Sequence, residues 1–319
     1  MIIYDGTMDK EAYKNVFGRV IEQICEEDKD VVYLDCDLMN SFGTLGFWQR
    51  NKAQAINCGV AEANMMGIAA GLSAGGKKPY AHTFGPFASR RCFDQVFLSV
   101  GYGGNSVRIF GSDPGVTAAF NGGTHMPFED MALMRAVPGS TVIDVTDSAM
   151  LESLMRQIKE SCGVTYLRTT RKVYPAVYSK DHDFKIGRGE VLRDGSDLTV
   201  IACGLMVGES LKAAAALKEK GLDVRVVDMF TVKPADAELV LRCAKETGAI
   251  ITAENHNVIG GLGDAVGSVL LENEACIPMK KIGVVEMFGS VGPQDYLQEY
   301  YGLTAEKIAA SALEILKKK

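Results

Sequence analysis

The chain has 319 residues, of which 47% are hydrophobic and 23% charged, and its formal net charge is -6. That length buries a core without disulfides and suits two domains. The basic residues are dispersed and no apolar run reaches bilayer-spanning length without charge, so neither a nucleic-acid partner nor a membrane is indicated.

In chain order, short β-branched runs alternate with longer helical patterns. Strands are predicted at 31–35, 78–83, 107–111, 141–145 and 164–168, and helices at 11–26, 60–74, 89–100, 128–136 and 148–160. This alternation predicts a parallel α/β sheet. A polar stretch over 178–195 predicts a linker. Beyond it, strands are predicted at 198–202, 224–228, 249–253 and 281–285, with helices at 208–220, 234–247, 261–272 and 305–318. The eight scattered cysteines form no Cys-x-x-Cys pair and the opening residues do not read as a secretory signal. Both features predict reduced thiols in a cytoplasmic protein. With four histidines and no close His/Cys spacing, no metal-binding residues are predicted.

One acid stands out. Glu62 lies in the apolar stretch Val60-Ala-Glu-Ala-Asn-Met-Met-Gly-Ile-Ala-Ala. No polar stripe recurs at helical spacing, which predicts a helix buried on all sides. A buried carboxylate costs several kcal/mol, in order of magnitude, unless something pairs with it. It is either a structural acid satisfied by a helix N-terminus or a neighbouring Arg, or a carboxyl group presented to a ligand.

Three loops are further candidates. Thr83-Phe84-Gly-Pro-Phe87 follows a strand, and Pro ends a ladder, so the two rings sit in a strand-end loop or in ordinary core. Asn121-Gly-Gly-Thr-His125 precedes a helix start at Pro127, Glu129 and Asp130; the glycines allow close approach, and an imidazole there can act as donor, acceptor or base. Asp35, Asp37 and Ser41 follow the first strand, where parallel sheets bind ligands, although they could equally cap the next segment. Gly260-Gly-Leu-Gly263 is only a fragment of a dinucleotide fingerprint.

Asn57-Cys-Gly-Val-Ala-Glu62-Ala-Asn-Met65, Thr83-Phe84-x-x-Phe87, Asp94-Gln95 and Gly123-Thr-His125-x-x-x-Glu129-Asp130, with Glu254-Asn-His256 further on, together resemble the transketolase family. The resemblance implies two three-layer α/β domains: a pyrimidine-binding domain over 1–180 and a transketolase C-terminal domain over 181–319. It implies thiamine diphosphate as cofactor, with Glu62 hydrogen-bonded to the aminopyrimidine N1' and keeping a proton available in a dry setting. Phe84 and Phe87 would stack on and enclose the pyrimidine, and Asp37 would lie near the cofactor. His125 would hydrogen-bond the substrate or its two-carbon intermediate, Ser41 would line the substrate channel, and Lys10 and Arg171 match basic positions associated with phosphate.

The chain departs from the family at one end of this pattern. Asp113 stands where a phosphate-holding histidine is usual, Asn121 where an acid contacts a sugar hydroxyl, and Arg90 where a tyrosine often follows the Phe pair. Asp113 implies either an unusual substrate end group or a pairing with Lys10, Arg90, Arg108 or Arg171 that rebuilds the pocket. The Gly-Asp-Gly…Asn motif that holds the diphosphate and Mg2+ is missing. The resemblance therefore implies the carboxy-terminal subunit of a split transketolase. Such a subunit acts on small sugars or sugar phosphates, with an N-terminal partner subunit carrying the diphosphate and Mg2+, in an α2β2 heterotetramer. The alternatives are the beta subunit of a 2-oxoacid dehydrogenase, a 1-deoxyxylulose-5-phosphate synthase-like enzyme, or a non-catalytic α/β binding subunit.

Overall fold

The computed structural model describes residues 1–319 and contains two sheets flanked by helices. The first is built from β1 (Val31–Asp35), β2 (Ala55–Asn57), β3 (Lys78–Phe84), β4 (Val107–Ser112), β5 (Thr141–Asp144) and β6 (Val164–Thr169). The second is built from β7 (Glu190–Arg193), β8 (Leu198–Ala202), β9 (Val224–Asp228), β11 (Ile250–Asn257) and β12 (Met279–Val284). β10 (Thr231–Lys233) belongs to the second half of the chain but pairs with β5 at the edge of the first sheet.

The orders are β10-β5-β6-β4-β3-β1-β2 and β12-β11-β8-β9-β7. Every pairing is parallel except β10 with β5 and β7 with β9. β1, β4, β6, β8 and β9 are buried at every position, as near-continuous apolar runs covered by helices on both faces should be. The adjacent strands β6, β4, β3 and β1 all run the same way, so their carboxyl ends share one edge of the sheet. That edge is where an open parallel sheet presents a ligand crevice.

Three expectations need correction. The predicted linker contains β7, an exception to the all-parallel reading, because a polar edge strand carries no apolar run to betray it. The predicted helix over 89–100 is broken into Gly85–Ala88, Phe93–Gln95 and a π-helical turn over Val96–Tyr102. There the amides of Gly103 and Asn105 bond the carbonyls five residues back, at Leu98 and Val100. The Glu62–Ala74 helix is not buried on all sides: Asn64, Gly67 and Gly71 face solvent. Small side chains leave no polar stripe to mark that face.

The two sheets share their core. Phe17 and Phe110 belong to the same apolar cluster as Val200 and Ile308, and Met131 and Met134 to the same cluster as Val240 and Cys243. Arg168, fully buried on β6, donates to Asp130 and Asp144 at 2.9 Å each, and to the Asn255 carbonyl of β11 at 2.8 Å. A buried cation is tolerated only when its donors are satisfied in this way. No helix is long and apolar enough to cross a membrane.

Candidate active site

Glu62 opens its helix immediately after the β2 loop, and its side chain is 3% exposed. An acid suits a helix N-terminus. The Arg91 terminal nitrogen Nη1 donates to both carboxylate oxygens, at 2.9 and 3.0 Å, and Thr83 Oγ1 approaches one of them at 3.5 Å. The Arg91 guanidinium also lies over the Phe87 ring, 3.7 Å from its centroid.

Phe84 ends β3, and Phe87 follows within the single turn Gly85–Ala88. The two rings meet edge to face at 6.1 Å, and His125 packs edge-on against both, at 5.3 and 5.0 Å. On the far side, the Arg171 guanidinium sits 5.1 Å from the Phe84 centroid. Arg171 Nε donates to Asp113 Oδ2 at 2.6 Å, its amide donates to Oδ1 at 3.1 Å, and Asp113 is fully buried. Two ion pairs, Glu62–Arg91 and Asp113–Arg171, thus flank an aromatic trio, and each Arg stacks on one Phe.

Burial and the two cations Arg91 and Arg171 push the His125 imidazole below its usual range. It is therefore neutral at neutral pH and able to donate from one nitrogen and accept at the other. Its Nδ1 lies 2.9 Å from Thr124 Oγ1.

Beneath the trio the strand ends are tied together. His82 lies 2.8 Å from Asp35 and 3.1 Å from Ser112, and Tyr33 donates to Asp35 at 2.6 Å. Asp35 is consumed by this buried network, which locks β1, β3 and β4 in register.

The structure brings together Glu62, Phe84, Phe87, His125, Asp113 and Arg171. Five other sequence candidates have no hydrogen bond or ion pair to that cluster. Asp37 is exposed and bonds Asn57, and the Ser41 hydroxyl donates to Leu38 of its own turn. Lys10 is exposed beside Asp9, in a cleft shared with Thr7 and Ser148. Asn121 is exposed, and Arg90 points away to Glu129 at 2.8 Å. Asp37 and Ser41 follow the end of β1, whereas the resemblance alone singled out Lys10, Asn121 and Arg90. A further cavity of about 400 Å³ lies between residues 172–177 and the helix start at Leu205, and none of the clustered residues lines it.

Profiles described as "Transketolase, pyrimidine binding domain" and "Transketolase, C-terminal domain" match residues 9–177 and 187–308. The chain belongs to the transketolase family. It is 44% identical over 316 residues to the 6-deoxy-6-sulfo-D-fructose transketolase subunit SqwH of Clostridium sp. (strain MSTE9), covering 99% of this chain and 98% of that one. A putative transketolase C-terminal section of Methanocaldococcus jannaschii is 38% identical, covering 95% of each chain. The solved structure of a split gene transketolase, an inactive beta4 tetramer, superposes with a TM-score of 0.87 at 40% identity, covering 96% of this chain and 98% of that one. Transketolases are thiamine-diphosphate-dependent transferases of two-carbon ketol units.

Against that transketolase background, sequence reasoning missed Arg91 and Asn255. Arg91 is the second of a pair, Arg90-Arg91, and only a turn with Cys92 bonded back to Phe87 swings it onto Glu62. Asn255 stands inside the Glu254-Asn-His256 motif, whose side chains carry no local sign of reaching the other sheet.

Proposed function

We propose that this chain is the subunit of a split transketolase that supplies the acid and the aromatic face for thiamine diphosphate, while a partner chain supplies the diphosphate and Mg2+ site. The observation that carries this reading is Glu62, buried at a helix start and paired with Arg91, whose guanidinium lies over the Phe87 ring beside Phe84 and His125, in a chain that lacks the Gly-Asp-Gly…Asn motif. No group of three or more His, Cys, Asp or Glu side chains is placed to hold a metal ion.

The residues fit an aminopyrimidine in type. Glu62 offers a carboxyl group for a ring nitrogen, and Phe84 and Phe87 offer apolar faces. Arg91 holds both the carboxylate and one ring face, so the fit requires its guanidinium to move aside. When bound, the cofactor supplies a carbanion that accepts the ketol unit. This chain's residues then hold a proton at the Glu62 carboxyl, exclude water with the Phe pair, and hydrogen-bond sugar hydroxyls through neutral His125. The solvent-facing side of the Glu62 helix, with Asn64, Gly67 and Gly71, carries only small side chains and would let a partner approach the helix closely.

The ketose donor carries at most one negative charge at its far end. Asp113 neutralises Arg171, so the guanidinium beside Phe84 is not an uncompensated cation for a phosphate that bears nearly two negative charges at pH 7. The relative named for 6-deoxy-6-sulfo-D-fructose supports this choice, since a sulfonate carries one charge. The α2β2 assembly and a cytoplasmic location belong to the same proposal; eight free cysteines support the latter.

Reconstitution tests the reading. The isolated chain with cofactor and Mg2+ should turn over no donor, and addition of the partner subunit should restore activity. Full turnover by the isolated chain would overturn it.

A further inference from the structure

The loop that leaves β4 carries Asp113 and ends at His125, so it forms one whole wall of the aromatic cluster. It is strained. Asp113 and Ala119 are both left-handed, with φ of 53° and 49°. A non-glycine residue in that region costs roughly 1–2 kcal/mol and persists only where its surroundings hold it. What holds this loop comes from the second sheet.

Asn255 lies on β11, 1% exposed, and its carboxamide makes two hydrogen bonds to the loop backbone. Its oxygen accepts from the Val116 amide at 3.0 Å, and its nitrogen donates to the Pro114 carbonyl at 2.9 Å. The residue between them is Gly115, at φ +52°, where a Cβ would lie 2.1 Å from the Asn255 oxygen. The carboxamide therefore fills the space that any other side chain at 115 would claim. Two residues on, the Asn257 amide donates to the Phe128 carbonyl at 2.9 Å, gripping the chain three residues beyond His125. Gly123 and Gly289 pack backbone to backbone between these points, each leaving no room for a Cβ on the other.

Arg168 fixes the backbone from which this carboxamide projects, donating to the Asn255 main-chain carbonyl at 2.8 Å. Asp113 directly precedes the gripped turn, and its carboxylate holds Arg171 against the Phe84 ring. The chain of contacts runs from β11 through Asn255 to the Pro114–Val116 backbone, then through Asp113 to Arg171.

We infer that Asn255 is a positioning residue for the donor end of the site, and that the C-terminal sheet clamps the 113–125 wall. It touches no substrate. It acts by fixing where the Asp113–Arg171 pair sits, and it leaves the Glu62 end alone. The inference rests on the proposed reading of Glu62 and Arg171 as the cofactor and donor ends.

The test uses the enzyme reconstituted with its partner subunit, with xylulose 5-phosphate and 6-deoxy-6-sulfofructose as donors. Asn255→Leu keeps the branched shape, in a somewhat larger side chain, and removes both hydrogen bonds. The KM of the better donor should rise about 10-fold to 100-fold, the effect of one or two buried hydrogen bonds. Exchange of the C2 proton of bound thiamine diphosphate should stay within about twofold of wild type, because that step reads only the Glu62 end. Asn255→Asp keeps the acceptor for Val116 and should recover part of the loss. Gly115→Ala attacks the same contact from the other side and should reproduce the KM effect, which also covers the case in which Asn255→Leu does not fold.

An unchanged donor KM in a folded variant overturns the clamp. So does a parallel loss of C2 exchange and donor binding, which marks a merely destabilised subunit. Failure of the underlying reading looks different: C2 exchange would then survive Glu62→Gln, whatever Asn255 does.

Discussion

Arg91 and Glu62 form an ion pair in which one terminal guanidinium nitrogen bridges both carboxylate oxygens, at 2.9 and 3.0 Å. The pair is lopsided: Glu62 is 3% exposed, whereas the Arg91 side chain is 44% exposed. Removing Arg91 strands a buried carboxylate, whereas moving it costs only a half-exposed contact. A planar group with nitrogens at its rim, stacked on Phe87 and bonded to Glu62, stands where the proposed reading puts the aminopyrimidine. Arg91→Met keeps the aliphatic stem and loses the planar cation. In the reconstituted enzyme it should tighten thiamine diphosphate about tenfold, the worth of one charge-assisted hydrogen bond. Titration calorimetry reads this directly, and equal or weaker binding would mean that Arg91 does not compete for the seat.

Glu62→Gln is nearly isosteric and opens no cavity. Fold and assembly with the partner should persist, while activity and C2 proton exchange fall roughly 100-fold to 10,000-fold, the range of a lost proton-transfer group. Wild-type exchange in this variant would reassign Glu62 to structure alone.

Asp113→Asn keeps the shape of the Arg171 contact and removes its negative charge. Arg171 then presents uncompensated positive charge next to Phe84. The ratio of kcat/KM for xylulose 5-phosphate over 6-deoxy-6-sulfofructose should rise about tenfold relative to wild type, one close charge interaction in a partly solvated site. If wild type already prefers xylulose 5-phosphate and the ratio does not move, the donor's end group is not read by this pair.

Stability should fall as pH rises from 6.5 to 8. Asp228 is fully buried, with Oδ2 bonded by Thr146 and Tyr178 and Oδ1 unpartnered, and burial pushes its carboxyl up to about 8. Burial likewise pushes Glu254 up to about 7. Both groups hold a proton in the folded chain that the unfolded chain has released, so the stability they contribute at low pH is lost as pH rises through their folded values. Buried His256 acts in the opposite sense, since burial pushes it down to about 4, but its contribution varies only below the ordinary histidine value near 6.5. Thermal melts across that window should show a falling midpoint, and Asp228→Asn should flatten the slope. A midpoint that climbs with pH above 6.5 contradicts the assignment.

By itself, the sequence determined the two runs of alternating strands and helices and marked residues that the structure clusters: a lone acid in an apolar helix, two phenylalanines three apart, and a histidine after two glycines. Those features are local. Periodicity and turn chemistry act over a few residues, so they can be read without knowing what packs against what. The tertiary structure alone decided the pairings. Asp113 could have met Lys10, Arg90, Arg108 or Arg171. It meets Arg171, 58 positions away, because β4 and β6 are neighbours and their carboxyl ends stand side by side. Arg108 begins on the same strand but ends buried under the carbonyls of Ile158, Lys159 and Ser161. β10 crosses into the first sheet, and Asn255 reaches a backbone turn 139 positions back, because the two sheets share one core. Such contacts depend on which surfaces are buried together, and no stretch of a few residues carries that information.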